Sequence, residues 1–184
     1  MQMVERVHQI IAEYVNERDT VVDATVGNGW DTLKLCEMVG PFGKVYGFDI
    51  QETAIDNTKK RLLDNGVEDR AEVHLESHTK MDKYAQENSV SCIVFNFGYL
   101  PGGDHNLSTR KESSIEAIHT GLRLLRKGGL MSLCIYSGGD SGFEERDAIL
   151  EELKTLDGKK YLVIKSEYYN RPNNPPMPVM IIKM

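Results

Sequence analysis

The chain has 184 residues, 40% of them hydrophobic and 27% charged, with a formal net charge of −6. That length and balance fit one soluble globular domain able to fold without covalent staples. The negative total excludes a surface that coats nucleic acid indiscriminately, and no apolar run approaches the ~20 residues that a membrane span needs.

The N-terminus lacks the apolar segment of a signal peptide. Cys36, Cys92 and Cys134 are scattered in apolar stretches with no spacing that suggests zinc or a disulfide framework, so they read as small buried hydrophobes. A reducing, cytoplasmic setting is expected.

In chain order, Val4, Val7, Ile10, Ile11 and Val15 recur at helical spacing, which predicts an N-terminal amphipathic helix. A buried strand follows over 20–24, a helix over 30–38, a strand over 44–49, and a helix over 53–63 that stops near Asn65-Gly66. Residues 71–75 read as a third strand, 78–84 as a short helix and 90–95 as a fourth strand. A Gly- and Pro-bearing segment, 98–106, precedes a helix over about 110–125, a turn at Lys127-Gly128-Gly129 and a fifth strand over 130–136. A helix over 141–156 and two last strands, 161–168 and 179–183, complete the pattern.

Strand-helix alternation predicts a parallel sheet with helices on both faces. About ten residues rich in Pro and Asn join the last two strands, which suits an antiparallel hairpin rather than a crossover. The expected fold is therefore α/β and Rossmann-like: a seven-stranded, mostly parallel sheet with an antiparallel C-terminal hairpin, the arrangement of class I S-adenosylmethionine (SAM)-dependent methyltransferases. No internal repeat or linker divides it, so 1–184 reads as one domain.

The sharpest motif is the stretch from Asp23 to Thr32, DATVGNGWDT, between the first strand and the next helix, where open α/β sheets bind ligands. Gly27 and Gly29 permit a sharp turn and close approach. Asp49 ends the second strand, suitably placed to accept hydrogen bonds from a ribose diol, with Ile50 and Gln51 beside it. The pattern also fits a nicotinamide or flavin dinucleotide enzyme, or a plain glycine turn with Asp31 capping a helix. Against a dinucleotide, Thr32 stands where its fingerprint has a third glycine, and Trp30 and Asp31 would crowd and repel a pyrophosphate. SAM carries an ammonium and a sulfonium and no phosphate, so Asp23 and Asp31 attract it. Glu76-Ser77-His78, after the third strand, borders the expected adenine position, and Ser77 reads equally as a helix cap.

The segment from Asn96 to Asp104, NFGYLPGGD, follows the fourth strand. Many nitrogen methyltransferases carry an Asp/Asn-Pro-Pro-Tyr-like motif here, and Asn96, Phe97 and Tyr99 form a looser version. An aromatic ring there can stack on a flat base; a tight surface loop is the plainer alternative. Alignment is the main demand of methyl transfer to nitrogen, and an alkylammonium acceptor must first lose a proton, for which Asp104 and His105 are candidates. His8, His74 and His119 fall in ordinary helix or strand patterns and read as structural or surface residues. The Tyr168–Met177 stretch, stiffened by Pro175-Pro176 with Asn173-Asn174 beside them, reads either as a cover over the substrate or as a rigid hairpin loop.

With those residues in view, the chain resembles a small bacterial family known as putative rRNA methylases, associated with methylating the aminomethyl group of wobble 5-aminomethyl-2-thiouridine in tRNA. DATVGNGWDT, VYGFDIQ, the ESH step, NFGYLPGGDH and YYNRPNNPPMPVMIIKM carry the resemblance across nearly the whole chain. It implies SAM contacts from Asp23, Asn28, Gly29, Asp31, Asp49, Gln51, Ser77 and His78. Substrate contacts are implied from the 96–106 loop, Gly98 included, and from the terminal loop, where Asn173 and Pro175 lie. Arg171 departs from the family's pattern.

If tRNA, at its anticodon region, is the partner, basic residues should gather locally: Arg110-Lys111, Arg123-Arg126-Lys127 and Arg171 are candidates. Arg110 and Lys111 open a helix, where the dipole disfavours cations, so a functional reason is stronger there. The competing expectations are a methyltransferase of rRNA or a small molecule and, in another class, a noncatalytic SAM- or RNA-binding module. A homodimer is the common default for such enzymes, and the sequence supplies nothing for it.

Overall fold

The computed structural model describes residues 3–98, 110–136, 139–172 and 175–184. Seven strands form one sheet: β1 (Thr20–Asp23), β2 (Lys44–Asp49), β3 (Ala71–Leu75), β4 (Val90–Phe97), β5 (Leu125–Ile135), β6 (Tyr161–Lys165) and β7 (Met177–Lys183), in the order β3-β2-β1-β4-β5-β7-β6. The first five are parallel, and β7 runs antiparallel to both β5 and β6. The α-helices are α1 (Met3–Ile11), α2 (Trp30–Val39), α3 (Glu52–Asp64), α4 (Lys111–Leu124) and α5 (Gly139–Lys154), with short 3-10 turns at Glu68–Arg70 and His78–Lys83.

Burial explains the strand compositions. Central β4 is a near-continuous apolar run, buried on both faces as parallel strands between helix layers must be. At the open edge, β6 alternates, with Tyr161 and Val163 packed inward and Leu162 and Ile164 exposed. One apolar cluster gathers around Phe48, Phe95, Phe97, Ile118 and Met131, and a second around Ile11, Val21, Leu35, Leu62 and Leu130. None of the described helices is long and apolar enough to cross a membrane.

The hairpin expectation holds, with a shorter β6 and a longer β7 than the sequence pattern suggests. Two boundaries differ more usefully. The fourth strand continues through Asn96 and Phe97, because these residues pair in register with Cys134 and Ile135. The fifth strand begins at Leu125, directly after α4, and passes through Lys127-Gly128-Gly129, where a register shift between Val90 and Cys92 absorbs the irregularity. Strand order reverses between β1 and β4, and that switch point places the carboxyl ends of the two strands beside a crevice.

Candidate functional site

A cavity of about 680 Å³ opens at this switch point. Its described wall takes residues from the loop after β1 (Thr25, Gly27, Asn28), from the end of β2 (Asp49, Ile50, Gln51), from the step after β3 (Glu76, Ser77, His78) and from β4 (Asn96). Helix α1 contributes Val4, Val7, His8 and Ile11 from the other side.

The loop after β1 is held shut by its own polar groups. The Thr25 amide donates to Asp23 Oδ1 at 3.2 Å, and the Gly27 amide donates to Asp49 Oδ2 at 3.0 Å. The Val26 amide reaches the Phe48 carbonyl and the Gly29 amide the Val26 carbonyl, at 3.0 and 2.7 Å. Gly29 has φ 78°, and a Cβ there would lie 2.8 Å from the Thr58 Cα, so both conformation and packing demand glycine. Four amides that a phosphate-binding loop would offer to its ligand are therefore engaged within the protein.

Three carboxylates surround this loop, in three different environments. Asp23 is fully buried, accepts a 2.6 Å hydrogen bond from Thr32 Oγ1, and does not reach the cavity. Burial, reinforced by the neighbouring Asp31 charge, pushes its pKa up to about 7. Asp23 thus supports the loop from behind, which corrects the expectation of a direct cofactor contact. Gly29 likewise packs on Thr58 and lies off the cavity wall.

Asp31 does line the cavity. Burial alone would raise its pKa, but hydrogen bonds from His8 Nε2 (2.6 Å) and Asn96 Nδ2 (2.8 Å) outweigh that and hold it below the ordinary value. Asp49 receives the Gly27 amide on one oxygen and the Gln51 amide on the other, at 3.0 Å each, and burial raises its pKa. Asp49 lines the cavity with the acceptor capacity that its backbone partners leave.

Beyond β3, Ser77 accepts a hydrogen bond from the Thr79 amide and also lines the cavity, so its capping and site-facing readings hold together. His78 lies beside it against Phe95 and Phe97, and burial lowers its pKa, keeping the imidazole neutral. Its Nε2 is buried without a hydrogen-bond partner among the described residues.

On the acceptor side, Asn96 is fixed twice: its backbone amide donates to Thr25 Oγ1 at 2.7 Å, and its side chain donates to Asp31. Phe97 is fully buried and stacks on Phe95, with centroids 5.0 Å apart, so its ring is not available to a base. The strand continuation turns Asn96 to the cavity and Phe97 to the core, overturning the expectation that the Phe97 ring contacts substrate. Tyr136, just past β5 and on the same strand face as Ser132 and Cys134, presents an aromatic ring to the cavity, as do Phe95 and Trp30. Gly98, at φ 148°, leaves room for it, since a Cβ there would approach the Tyr136 Cβ to 3.1 Å.

Arg110 also lies on the wall and is exposed. Pro175 lies off it. Tyr99, Asp104, His105 and Asn173 fall outside the described residues. Of the other basic candidates, Arg126 makes a two-pronged ion pair with Asp19 at 2.9 and 3.0 Å, and Arg123 pairs with Asp82 and Glu87. Arg171 lies over the Tyr168 ring.

Two features escaped the sequence. His8, expected to be structural or surface, is a wall residue bonded to Asp31, a partner 23 positions away. Tyr136 was signalled only by strand alternation from Ser132 through Cys134.

The arrangement fits SAM: the carboxylates of Asp31, Asp49 and Glu76 on the wall, a glycine loop with its amides engaged, and a neutral histidine with an open ring nitrogen suit a cationic, phosphate-free nucleoside. Comparison with known proteins agrees. The family described as "Putative rRNA methylase" matches residues 45–182. A chloroplastic tRNA (mnm(5)s(2)U34)-methyltransferase of Arabidopsis thaliana is 35% identical over 91% of the chain. The chain spans 65% of that relative's length. The crystal structure of a putative rRNA-methylase from Clostridium thermocellum superposes with a TM-score of 0.97 at 46% identity, covering 100% of this chain and 98% of that one. A putative methyltransferase from Streptococcus mutans, solved in complex with SAH, gives 0.90 at 31% identity, covering 100% and 99%.

Proposed function

Since the chain belongs to the putative rRNA methylase family and has the class I SAM-dependent methyltransferase fold, we propose that it is an RNA N-methyltransferase. Its acceptor is the aminomethyl group of wobble 5-aminomethyl-2-thiouridine in tRNA. One observation carries the cofactor half of this reading: the loop amides are already engaged, while Asp31 and Asp49 face the cavity. The name of the plant relative supports the acceptor half.

When bound, SAM supplies a methyl group made electrophilic by its cationic sulfur. Asp49 holds the ribose hydroxyls, with Ile50, Gln51, Asn28, Ser77 and His78 around the nucleoside. Asp31, kept ionised by its two donors, offers negative charge to the cationic end of the ligand. Asn96 has little rotational freedom because Thr25 fixes its backbone and Asp31 its amide. That rigidity aligns an acceptor nitrogen with the methyl group, and alignment supplies most of what such a transfer needs. Tyr136 forms the side wall for a flat base, and Arg110 meets RNA phosphate at the mouth. The acceptor amine is protonated in solution and must present a lone pair, so Asp104 or His105 takes its proton.

The test is direct. Purified protein and labelled SAM are incubated separately with tRNA from a strain lacking this gene, with ribosomes and with a metabolite extract. Label is expected in tRNA, and digestion should place it on the methylaminomethyl nucleoside. Label confined to ribosomes or metabolites overturns the tRNA assignment.

A further inference from the structure

Helix α1 is an unusual wall for a cavity. It has nine residues, below the ~12–15 at which an isolated helix holds together in water, so it depends on docking. Yet only Ile11 among its residues is buried, and Val4 is 43% exposed. Its apolar stripe of Val4, Val7 and Ile11 faces the cavity, so part of what would stabilise the helix is the occupant of that cavity. A short side chain-to-side chain bond joins this helix to the site: His8 Nε2 to Asp31 Oδ1, at 2.6 Å. Asp31 in turn accepts from Asn96 at 2.8 Å on its other oxygen. Three elements, α1, α2 and β4, thereby meet on one carboxylate.

We propose that His8 is a positioning residue for cofactor binding: by donating to Asp31 it fastens α1 over the cavity and fixes Asp31 and Asn96 in their binding orientation. The proposal rests on the SAM reading of the site and is independent of the acceptor's identity. Nε2 must donate, because Asp31 is ionised and can only accept. Without the donor, Asp31 is free to rotate away from Asn96, and the His8–Asp31 bond between α1 and α2 is lost. Ligand binding and α1 docking are then linked, each favouring the other.

Full-length wild type, His8→Ala and His8→Gln are titrated calorimetrically with SAM, and amide hydrogen exchange is followed over residues 4–11 with and without it. The expected result is a dissociation constant raised about tenfold in His8→Ala, the loss appropriate to one hydrogen bond to a charged group. Recovery is expected in His8→Gln, whose side-chain amide can still donate. In the wild type, SAM should slow exchange in 4–11, and in His8→Ala much less. With a methyl acceptor present, KM for SAM should rise more than kcat falls. A merely structural defect would lower thermal stability in both variants and would not be rescued by glutamine for binding alone. Normal SAM binding by a folded His8→Ala, or exchange in 4–11 indifferent to SAM in the wild type, overturns the latch alone. Failure of the wild type to bind SAM overturns the cofactor reading and the latch together.

Discussion

The two sides of the cavity are built by different means. On the cofactor side, the shaping groups come almost entirely from two short stretches, residues 23–32 and 49–51, whose amides and carboxylates satisfy one another. On the acceptor side, Asn96 and Tyr136 come from separate elements, and Asn96 is tied through Asp31 to His8 of α1, contacts that only the completed fold brings together. The first side is a local turn that comes with its own scaffolding. The second is a tertiary assembly that depends on strand register and on a docked helix. The contrast teaches that similar side-chain chemistry can be rigid for local reasons on one wall and for global reasons on the other.

The strongest way to break this comparison is Asp49→Ala. Losing the proposed acceptor of the ribose hydroxyls, and with it the partner of the Gly27 and Gln51 amides, should weaken SAM binding by at least ~100-fold in a calorimetric titration. A variant that binds normally would show that the local side is not the cofactor side.

Asn96→Ala should act on the other wall. SAM binding is expected to change only a few-fold while kcat falls about 100-fold, the size of effect that misalignment of reacting groups produces. Equal losses in both quantities would merge the two walls into one functional unit.

A stability measurement sharpens the role of Asp23. Its pKa is raised from 3.8 to about 7 in the folded state, so folding favours the protonated form. Its contribution to stability is complete below 3.8, declines as pH rises between the two values, and is gone above about 7. Urea unfolding at pH 5 and pH 8 should show wild type losing on the order of 3 kcal/mol relative to Asp23→Asn. A pH-independent difference between the two proteins would mean that Asp23 remains ionised, as a ligand-facing carboxylate would.

The same contrast decides what was legible in the sequence. The stretch DATVGNGWDT and the acid ending β2 could be read because their geometry follows from glycine freedom and short-range spacing. The strand positions and the terminal hairpin could be read from apolar periodicity and connection length. What could not be read depends on long-range contact. Asp23 and Asp31 look equivalent as two acids flanking a glycine turn, and only packing separates a buried proton-holding group from an ionised one. Phe97 looks like a loop aromatic until its pairing with Ile135 carries the strand two residues further and turns the ring inward. His8 sits in an unremarkable amphipathic pattern, and nothing local points to its bond across to α2.

The placement of β7 has a consequence for how the molecule comes into being. This strand, last in chain order, lies between β5 and β6 and supplies β5 with its outer neighbour from Leu130 to Ile135. During synthesis the five parallel strands can associate while residues 177–183 are still to be added. Until then β5 stands as an open, apolar ribbon edge, the kind of template on which nascent chains cross-pair. Insertion of β7 between β5 and β6 removes that edge.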